Sequence, residues 1–300
     1  MNTISAIICT YNREKYIGKA LESVGNQSLD KNRFQIVIIN NNSDDNTQKI
    51  CRDFIKANPD LSIIYENERE QGLSAARNRG IRESDAEYLT FVDDDATLDP
   101  EFLKVVTDYM DANTDVVAVG GKILLEFEMS RPAWATHYLD SLFGYFNLGN
   151  KSCVFRAPQY PRGSNMSLRS TVFNLVGDFS TDLGRKRDSL EGSEEKELFA
   201  RVYKLEKPIV YIPEAVVYHA VPASRTHTDF IRKQAIGYGK SQKIYCRRHG
   251  GLIKMYRMEL VKWIASMILF LYYLLSFRPQ KGCMILRFRC WVRHGMRMQV

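Results

Sequence analysis

Three consecutive carboxylates, Asp93, Asp94 and Asp95, follow the largely apolar run 88–92. Acids crowded into so short a stretch repel one another unless a cation lies between them, and a cluster of oxygen donors favours Mg2+ or Mn2+. A helix cap is the competing account. Asp99 before Pro100 has the residue types of an N-cap and a first helical position, yet this leaves 93–95 unexplained. Gly72, ahead of the helical stretch 73–83, would aim backbone amides and a positive helix end at a diphosphate, with Arg77 one turn in as a clamp. A plain glycine cap and a solvated arginine explain the same residues. Glu194, Glu195 and Glu197 crowd the start of another helical stretch, where acids complement the helix dipole. His219 ends an apolar run at 215–219, a place that suits a rim or core histidine as readily as a ligand.

Short β-branched runs at 3–9, 35–39, 61–66, 88–92 and 116–120 alternate with segments of helical period, such as Ile17, Ala20, Leu21 and Val24. Alternating strand and helix predicts an α/β fold, a doubly wound, mostly parallel sheet with helices on both faces. Ligands bind such sheets beyond the carboxyl ends of the strands. Polar loops do follow the strands there, at 10–13, 40–45, 71–78 and 93–95. Residues 122–165 lose periodicity and carry Trp134, Tyr138, Phe143, Tyr145 and Phe146, consistent with an aromatic cleft or with core packing. Two nucleotide motifs are excluded. Gly239-Lys240-Ser241 resembles the end of a P-loop, but position 234 is Gln and no strand precedes it; no GxGxxG follows any strand.

Taken in order, these pieces resemble the family 2 glycosyltransferases of the GT-A fold. The resemblance rests on residues 5–13, 38–47, 72–80, the DXD motif Asp93-Asp94-Asp95, 163–169, the acidic helix start 194–198 and 217–219, and it spans about 3–245. It implies an inverting, metal-dependent transfer of one sugar from a nucleotide-diphosphate sugar, a UDP-sugar foremost, to a hydroxyl of a lipid-linked or glycan acceptor in cell-surface polysaccharide synthesis. It assigns Glu195, with Glu194 as rival, to the general base, in a place where the family usually has Asp. Thr10, Tyr11, Asn12, Asn40, Asn41, Gly72, Arg77, Asp93, Asp94, Asn165 and Arg225 fall to the nucleotide and donor, and Asp95 with His219 to Mg2+ or Mn2+. Cys9 stands where the family often has Pro, and Asn40 where an Asp often reads the base. The QxxRW signature of processive synthases is absent. A sugar nucleotidyltransferase and an inactive carbohydrate-binding module are the alternatives.

The chain of 300 residues, 45% hydrophobic and 26% charged, has the composition of a folded globular protein and not of a disordered, collagenous or disulfide-framework chain. Its net charge of +7 conceals an asymmetry. Residues 1–224 hold 26 Lys/Arg against 33 Asp/Glu, whereas 225–300 hold 16 against 2. A basic tail on an acidic body points to an anionic surface met by the tail alone. Within it, 263–277 is an apolar run shorter than the ~20 residues of a span, and 284–297 reads as an amphipathic helix lying on lipid, with Arg289, Arg293 and Arg297 on one face. So long an apolar run disfavours a nucleic-acid arm. The expected organisation is a catalytic domain at 1–245, divided into a nucleotide-binding half at 1–121 and an acceptor and base half at 122–245, and a membrane-associating tail at 246–300. The six cysteines form no metal-binding pair and read as reduced packing residues. Without a basic leader at its start, the chain is expected in the cytoplasm, peripheral or monotopic at the inner face of a bacterial plasma membrane.

Overall fold

The computed structural model describes residues 2–185, 192–249 and 251–298. The chain divides into two compact units. One comprises Met1–Glu126, Tyr145–Arg187 and Glu194–Ala220, the other Phe127–Gly144, Asp188–Ser193 and Val221–Val300.

The first unit is a mixed α/β layer. Strands β1 (Ile4–Thr10), β2 (Phe34–Asn40), β3 (Ser62–Asn67) and β4 (Tyr88–Asp93) are interleaved with helices α1 (Ile17–Gly25), α2 (Thr47–Ala57) and α3 (Leu73–Glu83). β1 pairs in parallel with both β2 and β4, and β2 with β3. β1, β2 and β4 are buried almost end to end, which is why their sequences are continuous apolar runs with no alternation. α3 approaches the sheet closely at Gly80, where a Cβ would overlap the Ile7 side chain.

Beyond β4 the sheet continues with five further strands, three of them of four residues or fewer. These are β5 (Ala96–Leu98), β6 (Ala118–Phe127), β7 (Cys153–Val154), β8 (Met166–Arg169) and β9 (Ile209–Val221). The order is β3-β2-β1-β4-β8-β6-β9-β5, with β7 beside β9. β8 is antiparallel to β4 and β6, and β5 and β7 are antiparallel to β9. The parallel character expected of the sheet thus belongs to its first four strands, and the far half is antiparallel. Helix α4 is Phe102–Ala112, so Asp99 and Pro100 precede its first turn and do not open it. Asp99 instead closes the turn before the helix, its carboxylate accepting the Glu101 amide at 3.1 Å and its carbonyl the Phe102 amide at 2.9 Å. Helices α5 (Thr171–Val176) and α6 (Glu194–Val202) complete the unit.

The second unit is dominated by α7 (Thr228–His249), α8 (Leu252–Leu275) and α9 (Pro279–Arg297). α7 runs straight through residue 245, so the expected boundary there falls inside a helix. α7 and α9 touch backbone to backbone: a Cβ on Gly239 would overlap the Val292 carbonyl, and one on Gly295 the Ile236 carbonyl. Gly239 of the P-loop-like tripeptide is therefore a helix-packing glycine. α9 buries Met284, Ile285, Phe288, Val292 and Met296 while packing on α7 and α8. The apolar face expected to lie on lipid is thus occupied by protein, and the exposed apolar surface belongs to α8. All six cysteines are free thiols.

Gly121 lies where β6 meets the Ile212–Ala215 stretch of β9, and a Cβ there would overlap the Ala215 carbonyl. Gly121→Ala is expected to lower unfolding free energy by about 1–3 kcal/mol, the usual cost of forcing a methyl into a filled core, as read by urea denaturation.

Candidate functional site

β4 ends on Asp93 and the chain turns through Asp94 and Asp95 into β5, which pairs Ala96 with His219 of β9. This turn separates the three acids. Asp93, Asp95 and His219 each offer one ligand atom, all within 4.8 Å of one another. The Asp95 carboxylate lies 3.3 Å from His219 Nε2, and both side chains are buried. Two carboxylates and an imidazole of this spacing fit a divalent cation of the Mg2+ or Mn2+ type.

Asp94 is not one of the three. Its carboxylate accepts the Arg13 Nε at 3.1 Å and the Tyr11 amide at 3.3 Å, tying the turn to the loop after β1. Burial, abetted by Asp95 and Asp93, pushes its carboxyl up to about 6 despite Arg13. Asp94, expected at the donor, is held by Arg13, a residue without an expected role that also lies 3.8 Å from Asp95. Nothing in the residue types distinguishes the middle acid from its neighbours.

Arg77 of α3 is 2% exposed and lies between the two acidic groups. Its guanidinium is 3.0 Å from Glu194 and 3.3 Å from Glu195, both on the first turn of α6, and 3.8 Å from Asp93. Phe91 and Phe179 lie under it at 5.9 and 5.3 Å. Gly163 admits this arrangement: a Cβ there would overlap Glu195 Oε1 and sit 2.7 Å from Arg77 Nη2. The resemblance includes Gly163 in the segment 163–169, but its requirement, a close approach between distant segments, shows only in the fold.

One guanidinium cannot neutralise two neighbouring glutamates. Burial and the negative charge of Glu195 push Glu194 up to about 8. Burial also opposes ionisation of Glu195, but Arg77 and a hydrogen bond from Glu194 outweigh it and hold Glu195 below its ordinary value. The pair thus favours the proton on Glu194 and the charge on Glu195. Glu195 is also the more exposed, its side chain 19% accessible against 4% for Glu194.

Several expected donor residues are engaged inside the protein. Asn41 donates to the Glu68 and Glu70 carbonyls at 2.9 and 2.7 Å and accepts the Gly72 amide at 2.8 Å. The Leu73 amide donates to the Arg185 carbonyl at 2.9 Å. The amides of Gly72, which caps α3, and of Leu73, its first residue, are therefore spent, and the diphosphate cradle expected at Gly72 is not formed by them. Asn165 accepts the Gly121 amide at 3.0 Å and donates to the Lys122 and Ala215 carbonyls, both at 2.9 Å. It is a tie that fixes the turn carrying Gly163. Asn40 joins the Tyr65 hydroxyl to the Ser43 amide, at 3.0 and 3.1 Å. Asn12, at φ 53°, accepts the Asp44 amide at 2.9 Å, so the loops after β1 and β2 are laced together. Thr10 is the buried last residue of β1, and Tyr11 begins the following loop. Arg225 lies in a 3-10 turn, Ala223–Thr226, of the second unit.

Comparison with known proteins agrees with this architecture. The sequence model of Glycosyl transferase family 2 matches residues 5–174. The glucosyl-dolichyl phosphate glucuronosyltransferase of Haloferax volcanii is 26% identical over 244 residues, covering 80% of this chain and 76% of that protein. Among solved structures, the mannosyltransferase PcManGT of Pyrobaculum calidifontis, in complex with GDP-Man and Mn2+, superposes with a TM-score of 0.63 at 16% identity, over 98% of this chain and 86% of that one. TarS 1-349 of S. aureus, in complex with UDP-GlcNAc, gives 0.57 at 18% identity, over 99% and 93%. At such identities these two structures establish the fold.

The raised Glu194 has a signature in stability. The folded chain holds a proton that the unfolded chain releases from its ordinary value of 4.5, so stability falls as pH rises from about 4.5 to about 8. Glu194→Gln is expected to abolish that part of the decline, worth on the order of a few kcal/mol, when urea unfolding of both proteins is followed across this range.

Proposed function

The chain belongs to glycosyl transferase family 2, and from that premise we propose that it moves a single sugar, with inversion, from a nucleotide-diphosphate sugar to a hydroxyl of a lipid-linked or glycan acceptor. The observation that carries this reading is Arg77, which lies between the Asp93–Asp95–His219 cluster on one side and Glu195 on the other. A donor's diphosphate and an acceptor's hydroxyl need those two chemistries within one sugar's reach.

Asp95 and His219, with Asp93 beside them, would hold Mg2+ or Mn2+, which when bound supplies positive charge to a diphosphate leaving group. Glu195, ionised and the more accessible of its pair, takes the proton of the acceptor hydroxyl. The freed oxygen bonds to the anomeric carbon as the bond to the diphosphate oxygen breaks, and the nucleoside diphosphate leaves with that electron pair. Attack opposite the leaving group inverts the centre. Glu194 keeps its proton and donates to Glu195, and Arg77 fixes both.

A lipid-linked acceptor is supported by the relative whose name carries dolichyl phosphate, and by the apolar α8 of this chain. We place the protein on the cytoplasmic face of a membrane, in contact through its basic C-terminal unit. UDP-sugars are the first donors to test, since the structural neighbours hold UDP-GlcNAc and GDP-Man.

The test is release of nucleoside diphosphate from a panel of nucleotide sugars, with membrane extract as acceptor, with and without Mn2+ or Mg2+. Metal-dependent release from one donor is expected, whereas pyrophosphate as product would overturn the reading in favour of nucleotidyl transfer. Glu195→Gln is expected to lower kcat by about 10²–10⁴-fold, and Glu194→Gln, which mimics the protonated acid, by far less. A larger loss in Glu194→Gln than in Glu195→Gln would move the base to Glu194.

A further inference from the structure

We propose that α8 and α9 rest on an anionic membrane as an in-plane helical hairpin, with α8 sunk into the acyl layer along its outer face, α9 at head-group depth, and neither helix crossing. The inference deepens the membrane contact in the proposed function and is independent of the sugar chemistry.

By length and composition alone α8 qualifies as a span, with 24 residues, a mean hydropathy of 1.6 and only 17% of its apolar window buried. Its inward stripe is Met255, Glu259 and Ser266. Outside that stripe it exposes Leu260, Ile264, Ile268, Leu271 and Leu275, and Phe277 follows at 94% exposure. A surface of this kind is not left to water. The acid of α8, Glu259, is turned inward onto Arg289 of α9 at 3.2 Å.

That same contact argues against crossing. α9 lies antiparallel along α8, with Gly282 against Phe270 and Arg289 against Glu259. Were α8 upright, residues 282–289 of α9 would share the depth of 259–270, in the middle of the hydrocarbon. Arg287 is exposed there, and an unpartnered position for a guanidinium at that depth is strongly disfavoured. α9 has no apolar face left to offer lipid, since Met284, Ile285, Phe288 and Val292 are buried. Beyond its first turn its exposed residues, Cys283, Arg287, Cys290, Arg293, His294 and Arg297, fall within about a third of the helical circumference at 100° per residue, and none is acidic. A helix that is cationic outside and apolar only against protein matches a layer of anionic head groups, and the apolar face of α8 matches the layer beneath.

The experiment uses the full chain with Cys153→Ser, leaving Cys283 and Cys290 as its exposed thiols. It is sedimented with phosphatidylcholine vesicles, with and without phosphatidylglycerol, and treated from outside with a membrane-impermeant maleimide. Expected are tighter binding to the phosphatidylglycerol vesicles, a loss of about thirtyfold in that affinity for the double variant Arg293→Gln, Arg297→Gln, and continued labelling of both cysteines on the bound protein. Ile268→Glu with Leu271→Glu, at exposed positions, should abolish sedimentation with an unchanged urea unfolding curve. Labelling that is lost on binding, or restored only when vesicles are lysed, would overturn the in-plane arrangement while leaving membrane contact standing. No sedimentation with either vesicle would overturn the membrane contact itself, and the nucleoside diphosphate assay would still report on the transferase.

Discussion

The site depends on one buried cation. Arg77 is taken out of water at considerable cost, and the surrounding structure offsets that cost with carboxylates from two other segments, Asp93 at the end of β4 and Glu194 and Glu195 at the start of α6. Remove the guanidinium and three acids face one another across a buried space. Keep it and three parts of the chain distant in sequence are fixed relative to one another. The flanking features follow from this need. Phe91 and Phe179 pack their rings against the guanidinium, Gly163 gives up its side chain to make room, and Asn165 fixes the turn on which Gly163 sits. The unequal ionisation of Glu194 and Glu195 has the same origin, because Arg77 supplies a single charge to a pair that would otherwise carry two.

The sequence made the first half of this architecture readable and obscured the second for a physical reason. Strands β1, β2 and β4 are buried on both faces, so they appear as long apolar runs, and the intervening helices show their period in residues such as Ile17 and Leu21. Strands β5, β7 and β8 have three, two and four residues, too few for any period to show. The acidic triple was legible because repulsion among adjacent carboxylates is a property of the residues themselves. That Asp94 would bond to Arg13 was not, since it depends on the turn between β4 and β5. Asn41 and Asn165 show the converse: a polar side chain in a ligand-binding loop has the same composition whether it serves a ligand or the loop.

The second unit shows a related ambiguity. Amphipathic period in α9 predicts an apolar face, but period cannot say whether lipid or protein covers it. Glycines supply the missing information. Gly239 and Gly295 bring α7 and α9 to backbone contact, Gly282 brings α9 against Phe270 of α8, and with these approaches made the apolar face of α9 is already occupied. The shift in charge at residue 225 marks the beginning of this unit better than the apolar run does, because α7 packs with its neighbours through small residues and not through a hydrophobic stretch.

The family resemblance leads one to expect an aspartate where this chain has Glu195, and the structure shows what the extra methylene requires. A glutamate carries its carboxylate farther from the α6 backbone, and here the carboxylate reaches the point where a Cβ on residue 163 would lie. Glycine at 163 and glutamate at 195 are therefore one spatial solution written in two places. The longer side chain meets Arg77 at 3.3 Å while Glu194, its neighbour on α6, meets it at 3.0 Å from the more buried side. The two carboxyls thus lie on one guanidinium nitrogen, near enough for the proton of one to stabilise the charge of the other. A shorter residue at 195 would draw its carboxylate back from both Gly163 and Arg77 unless α6 moved inward, so the choice of glutamate is coupled to the buried guanidinium.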